Sequence, residues 1–199
     1  MDLQPGDRLT LRDALYSTLL GSDNVSALTI ASFVGRDLVS RRGSGTPIAA
    51  FVSEMNNLAR SLRMTKTRFT APHGLDAGNA VSTSCALDMA LLGMYSMQNP
   101  AFCYIVSQAS RRIGVQSQTK GTTMYDISNN NKMMSTPGVD GIKAGSSRAA
   151  GQCLLLSATR NAIARRSPQT GTEVIYPQRM IIAVLGTGER YSLARQMLN

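Results

Sequence analysis

The sequence predicts an α+β fold in which helices pack on an antiparallel sheet. Three observations carry that expectation. Up to residue 110 the apolar positions recur at helical spacing. Beyond it they come in short runs of strand length, and the chain closes on one more amphipathic stretch. Helices followed by strands, rather than alternating with them, point to a meander and not to parallel βαβ units.

The elements follow in order. Thr10 caps a helix over 9–21, with Asp13 three residues on and Leu11, Ala14, Leu15, Thr18 and Leu19 along one face; Gly21 is the expected stop. Ser22, Asp23 and Asn24 are all cap-forming types, so they form a tight link to a second helix carrying Val25, Ala27, Leu28, Ala31 and Val34. Thr46-Pro47 starts a third helix with the stripe Ile48, Phe51, Val52, Met55, Leu58, Ala59 and Leu62. Residues 64–81 are irregular, with turn chemistry at Ala71-Pro72-His73-Gly74. Ser82 or Thr83 is expected to cap a helix bearing Ala86, Leu87, Ala90, Leu91 and Met94, and Asn99-Pro100 restarts a short one through Val106.

Segments 112–117 and 122–127 are strand-like, and Asn129-Asn130-Asn131 marks a turn. Val139 to Gly145 reads as a strand. Cys153–Ala158 and Met180–Leu185 are apolar runs separated by the polar stretch 164–178, which suits a long hairpin of neighbouring strands. Thr187 caps a final helix with Leu193, Ala194, Met197 and Leu198 on one face. With no repeats and no linker-like tract, residues 1–199 are expected to form a single domain.

An apolar fraction of 43% and a charged fraction of 17% are those of a globular chain. The net charge is 21 − 12 = +9, mostly arginine, with lysine only at 66, 120, 132 and 143. Arginines concentrate at Arg36/Arg41/Arg42, at Arg60/Arg63/Lys66/Arg68, at Arg111/Arg112 and at Arg160/Arg165/Arg166. A basic surface attracts polyanions, but these clusters are dispersed and lack interleaved aromatics, so no nucleic-acid partner is expected. No apolar run approaches the ~18 residues of a membrane span. The start Met1-Asp2-Leu3-Gln4-Pro5-Gly6-Asp7 has no apolar core, so no signal peptide is expected. Cys85, Cys103 and Cys153 are odd in number and form no C-x-x-C pair, which rules out a disulfide framework and argues against a structural zinc site. Cys85 and Cys153 read as small buried hydrophobes. Neither a metal nor an organic cofactor is expected.

The chemistry-bearing stretches come in a fixed order. Leu19-Leu20-Gly21-Ser22-Asp23-Asn24-Val25-Ser26 is followed by Phe51-Val52-Ser53-Glu54-Met55-Asn56 and by Phe69-Thr70-Ala71-Pro72-His73-Gly74-Leu75-Asp76. Then come Gly138-Val139-Asp140-Gly141-Ile142-Lys143-Ala144-Gly145 and Ala150-Gly151-Gln152-Cys153-Leu154. This series resembles the catalytic domain of the D-alanyl-D-alanine carboxypeptidases, the low-molecular-mass penicillin-binding proteins related to class A β-lactamases, with S-x-N at Ser22 and a K-T-G-like element at Lys143. The resemblance covers nearly the whole chain. It implies a β-lactamase/transpeptidase-like fold and serine-type hydrolysis of peptidoglycan stem peptides ending in D-Ala-D-Ala. It also implies β-lactams as ligands of the full-length form, and a periplasmic or cell-envelope location.

Carried over residue by residue, the resemblance gives Ser22 a proton-relay role toward the leaving amine. Asn24 would hold a substrate carbonyl and the lysine of the family's S-x-x-K motif. Lys143 would supply positive charge, Gly145 would let the peptide lie against the strand, and the Ser146 N–H would be an oxyanion donor. His73 is structural in the family, and Asp140 is expected in a turn or an ion pair. Ala144 departs from the pattern, because the family has Thr or Ser at this substrate-binding position; losing such a contact costs ~1–3 kcal/mol. The S-x-x-K motif, source of the nucleophile, is expected N-terminal to S-x-N, where only 21 residues precede Ser22. Ser117-Gln118-Thr119-Lys120 matches by letters but falls between the other two motifs, in a strand or turn, and is rejected. The chain is therefore expected to be incomplete at its N-terminus and inactive on its own. The alternative is a non-catalytic remnant that binds peptidoglycan or a partner.

Overall fold

The computed structural model describes residues 1–75 and 81–199. Five helices come first: α1 (Leu11–Leu19), α2 (Asn24–Arg42), α3 (Pro47–Ser61), α4 (Ala86–Ser96) and α5 (Pro100–Val106). Side-chain caps define four of these starts. Thr10 accepts from the Asp13 N–H, Asp23 from Ser26, Thr46 from Ala49, and Asn99 from both Ala101 and Phe102.

Helix α4 differs from expectation. Its N-cap is Cys85, with no side-chain capping bond, because the expected caps are engaged elsewhere. The Thr83 backbone exchanges hydrogen bonds with Arg68, both at 2.9 Å, and the Ser82 hydroxyl accepts from the Thr70 N–H at 3.1 Å. Helix α1 also stops differently. The left-handed residue is Ser22 (φ 58), not Gly21. Glycine is needed at 21 for space: an added Cβ would lie 3.0 Å from both Ile127 and the Ser17 carbonyl.

After the helices come β1 (Ser110–Ser117) and β2 (Gly121–Ser128), a two-stranded antiparallel hairpin. A second sheet has the order β3 (Val139–Ser147), β4 (Gly151–Arg166), β5 (Glu173–Thr187), also antiparallel, and α6 (Arg190–Leu198) closes the chain. The stretch 164–178, expected as a polar connection, is mostly ladder: Ile163 pairs with Tyr176 and Arg166 with Glu173. Paired backbones satisfy one another without burial, so the hairpin extends into residues whose side chains gain no cover. Thr187 ends β5; its hydroxyl accepts from the N–H of Glu189, the residue that stands at the N-cap of α6.

The core under this sheet is built on Leu154 and Leu156, with Met133, Val139, Ala144, Ala158, Ile182, Val184 and Ala194. Tyr16, Leu20, Ile105, Ile113 and Ile127 join α1 and α5 to the hairpin, and Met97, Val106 and Ile142 form a third cluster. Helix α2 buries Ser26, Ala27, Ala31 and Gly35, while Val25 and Leu28 of the expected stripe are exposed. Small residues win there because α2 packs closely on α3: a Cβ on Gly35 would fall 2.0 Å from the Pro47 carbonyl oxygen. Cys85 and Cys153 are half-buried rather than buried. Among the described residues no helix is long and apolar enough to cross a membrane.

Candidate active site

Local bonds set the α1–α2 link. The Asp23 N–H donates to the Ser17 carbonyl at 3.2 Å, and the buried Ser26 hydroxyl donates to that of Ser17 at 3.1 Å. Burial works against ionisation of Asp23, but hydrogen bonds from Ser26 together with the hydrogen bond and charge of the Met1 ammonium outweigh it and hold the carboxyl below its ordinary value. Between the fixed ends of the link, Ser22 sits in the left-handed region that L-residues rarely adopt. Asn24 is the first residue of α2; it is exposed, and its side chain makes no hydrogen bond among the described residues.

Strand β3 supplies the opposite wall. It is the edge of its sheet, so one side of its backbone faces away from β4. The pleat alternates Lys143, Ala144 and Gly145, and Ala144 is 3% exposed with its methyl in the core cluster. Only its backbone is left to line a groove. Gly145 is exposed, and an added Cβ there would meet nothing within 4 Å. No neighbour in the fold explains that glycine, so the space beside it is open to an incoming chain. Ser146 is likewise exposed, opposite Gln152.

The two walls meet. The Lys143 Nζ donates to the Ser22 Oγ across 121 residues of sequence, and donates to the Ala144 carbonyl at 2.7 Å. An ammonium has three N–H donors, so one remains for a third group. Burial, with the Arg190 guanidinium as a second cause, pushes Lys143 down from 10.5 to about 8. A lysine near 8 is still mainly charged at neutral pH but yields its proton far more readily than an exposed one. Among the described residues no other serine or lysine hydrogen-bonds to this pair. Ser117 and Lys120 lie at the β1–β2 turn, the Ser117 hydroxyl 3.5 Å from that of Thr119.

Two features escaped the sequence reading. Asn130 and Asn131, read only as turn residues, join the walls. The Asn130 side chain donates to the Gly21 carbonyl at 3.0 Å and its N–H to that of Leu20 at 3.0 Å. Asn131, 2% exposed, donates to the Gly141 carbonyl at 3.2 Å and accepts from Met133. One asparagine thus holds the residue before Ser22, and the next holds the strand just before Lys143.

The second is Arg190, which donates to the Gly145 carbonyl at 2.6 Å and to that of Cys153 at 3.3 Å, and lies over the Tyr191 ring at 4.9 Å. Its buried Nε has no hydrogen-bond partner among the described residues. A signal was present: arginine in the first turn of a helix opposes the dipole, so another demand must hold it there.

Of the other candidates, His73 accepts the Leu75 N–H at 3.1 Å on Nδ1 and stabilises its own turn; Asp76 lies outside the described residues. Asp140 pairs with Arg179 at 2.7 Å, as expected. Among the described residues no three His, Cys, Asp or Glu side chains converge as metal ligands would.

A family model described as D-alanyl-D-alanine carboxypeptidase matches residues 1–167. The chain is 31% identical over 164 residues to D-alanyl-D-alanine carboxypeptidase DacC of Escherichia coli, covering 80% of this chain and 36% of that protein. It is 29% identical over 161 residues to a Streptomyces D-alanyl-D-alanine carboxypeptidase, covering 78% of this chain and 52% of that one. It therefore spans between a third and about half of the length of these relatives. The crystal structure of a Streptomyces DD-transpeptidase superposes with a TM-score of 0.80 at 26% identity, covering 100% of this chain and 70% of that one. A penicillin-binding protein homologue from Mycobacterium tuberculosis gives 0.67 at 27%, covering 88% and 56%. Its fold is thus the α+β fold of the penicillin-binding DD-peptidases, and the family match over residues 1–167 makes this chain a member of the D-alanyl-D-alanine carboxypeptidase family.

Proposed function

We propose that residues 1–199 are most of the catalytic domain of a serine D-Ala-D-Ala carboxypeptidase that trims peptidoglycan stem peptides in the cell envelope. The observation that carries this reading is the contact between Lys143 and Ser22, which closes one groove from two distant motifs. In it Lys143 keeps its positive charge beside the scissile end of the peptide and polarises Ser22, whose hydroxyl relays the proton released by the attacking serine to the departing D-alanine amine. The spare Nζ donor and the Arg190 guanidinium attract the terminal carboxylate, which offsets the hydroxyl that Ala144 lacks. Gly145 lets the peptide run along the free edge of β3, the Ser146 N–H donates to the oxyanion, and Asn24 turns toward the substrate carbonyl.

Attack itself needs an activated serine hydroxyl, and the S-x-x-K motif that provides it is not found at this groove. In our reading the 199 residues hold the substrate-facing walls and proton relay, and a segment bearing S-x-x-K completes the enzyme. β-Lactams acylate only that completed form. The second reading is a non-catalytic peptidoglycan-binding protein, favoured by the absence of that serine–lysine pair from the groove.

Intact-mass measurement after incubation with benzylpenicillin tests the proposal. The 199-residue chain should gain no adduct, and the chain extended at its N-terminus by the S-x-x-K segment of the Streptomyces relative should gain one. An adduct on the short chain would reinstate Ser117. None on the extended chain would favour the binding reading.

A further inference from the structure

A second recess lies apart from the groove, between the C-terminal half of α3 and the 63–68 segment. It is a cavity of about 570 Å³ whose lining includes Ser53, Arg60, Arg63, Thr65, Thr67 and Arg68, and it shares no residue with the Ser22–Lys143 site. We propose that it binds a phosphate or diphosphate group. This inference does not depend on the function proposed above.

Three observations support it. The first is charge. Among the described residues Arg60, Arg63 and Arg68 form no ion pair, and no carboxylate lines the cavity. Arg60 donates to Asn57, a neutral partner. Three guanidinium groups around one recess repel each other unless an anion sits between them, and guanidinium forks match phosphoryl oxygens bidentately. Neutral donors are also at hand, because the hydroxyls of Ser53 and Thr65 make no hydrogen bond among the described residues.

The second is backbone strain. Arg63 follows the end of α3 at φ 59, the position where a helix ordinarily places glycine. Only two non-glycine described residues are left-handed, and the other is Ser22 in the catalytic groove. Holding an arginine there costs stability that glycine would not, and such outliers concentrate where a side chain has work to do.

The third is rigidity. Asn56 brackets Phe69 with two bonds of 2.8 Å, one to its carbonyl and one from its N–H. Asp88, 3% exposed, accepts from the Lys66 N–H at 2.9 Å and from the Thr67 hydroxyl at 2.7 Å. That carboxylate is spent on the segment's own backbone and hydroxyl, so it fixes the segment that carries Arg63 and Arg68. A preorganised cationic recess loses little entropy on binding.

The test is titration of the chain with inorganic pyrophosphate, followed by calorimetry and by amide NMR shifts. Saturable binding is expected, with shifts concentrated over 53–68. Arg63→Gly relieves the left-handed strain, so it should melt at or above the parent temperature while binding about tenfold more weakly, the worth of one charge-assisted contact. Arg68→Gln should lose a similar factor, whereas Arg165→Gln on the distant hairpin should lose none. Co-sedimentation with phosphatidylglycerol and phosphatidylcholine vesicles separates the sources. Retention on phosphatidylglycerol that Arg63→Gly abolishes assigns a lipid headgroup, and binding of pyrophosphate alone assigns a free phosphorylated ligand. Absence of saturable binding to either probe would overturn the proposal, as would binding that Arg63→Gly and Arg68→Gln leave unchanged.

Discussion

The two walls of the groove are built by different means. The α1–α2 link is local: Ser17, Asp23 and Ser26 bond to each other within one short stretch, and the cap residues that dictate this stand side by side in the sequence. The β3 wall is assembled from afar. Its register comes from β4, the methyl of Ala144 rests in the sheet core, and Arg190 reaches it from the last helix. The contrast teaches that a hydrogen-bonded serine–lysine pair can be half written in adjacent letters and half in the packing of the whole domain. Besides the Lys143–Ser22 contact itself, Asn130 and Asn131 couple the two halves, one bonding to each through its side chain.

The largest effect should come from the residue that spans both walls. In the form carrying S-x-x-K, Lys143→Met should lower the acylation rate by ~10²–10⁴, the usual worth of a positioned proton-transfer group, with little loss of fold. A stopped-flow β-lactam assay reads this, and an unchanged rate would detach Lys143 from the chemistry. Asn131→Ala should cost ~1–3 kcal/mol in urea unfolding, because it leaves the Gly141 carbonyl and the Met133 N–H without their partner. It should also loosen Lys143 from Ser22, seen as broadened Ser22 amide signals. Asp23→Ala removes the cap of α2 and the 3.2 Å ion pair with the Met1 ammonium, both on this side of the groove, and should cost ~1–2 kcal/mol, without broadening β3. If Asp23→Ala disturbed β3 as much as Asn131→Ala does, the division into a local and a distant wall would fail.

The mildest probe is pH. Below about 8 Lys143 is charged in both folded and unfolded chains, so its burial penalty stands in full. Between about 8 and 10.5 the folded chain has released the proton while the unfolded chain still binds it. The unfolded state then holds more protons, so this group makes stability rise with pH across that window and level off above it. Arg190→Leu removes a cationic neighbour, so it should move the Lys143 pKa upward and narrow the window. Urea midpoints measured at several pH values check both signs.

How much was legible follows from the same contrast. The caps Thr10, Asp23, Thr46 and Asn99 could be read directly, because each is satisfied within three residues. The S-x-N and K-x-G elements were visible as motifs, but their meeting across 121 residues was not. The exposure of Val25 and Leu28 could not be foreseen, since helical periodicity says which residues share a face and not that Gly35 would bring α3 close. Ser82 and Thr83 have cap chemistry, yet the irregular segment at 68–70 claimed them first. The 164–178 stretch was hidden by its polarity, which says nothing about backbone pairing.

The most direct test of the account is whether the Lys143 side chain senses the handedness of a bound peptide. Lysine Nζ and Cε signals should be followed by NMR while an N-acyl-D-Ala-D-Ala peptide, and separately its L-Ala-L-Ala counterpart, is added to the 199-residue chain. The account predicts a saturable shift of the Lys143 signals with the D,D peptide and none with the L,L peptide. Equal responses to both, or no response to either, would contradict it.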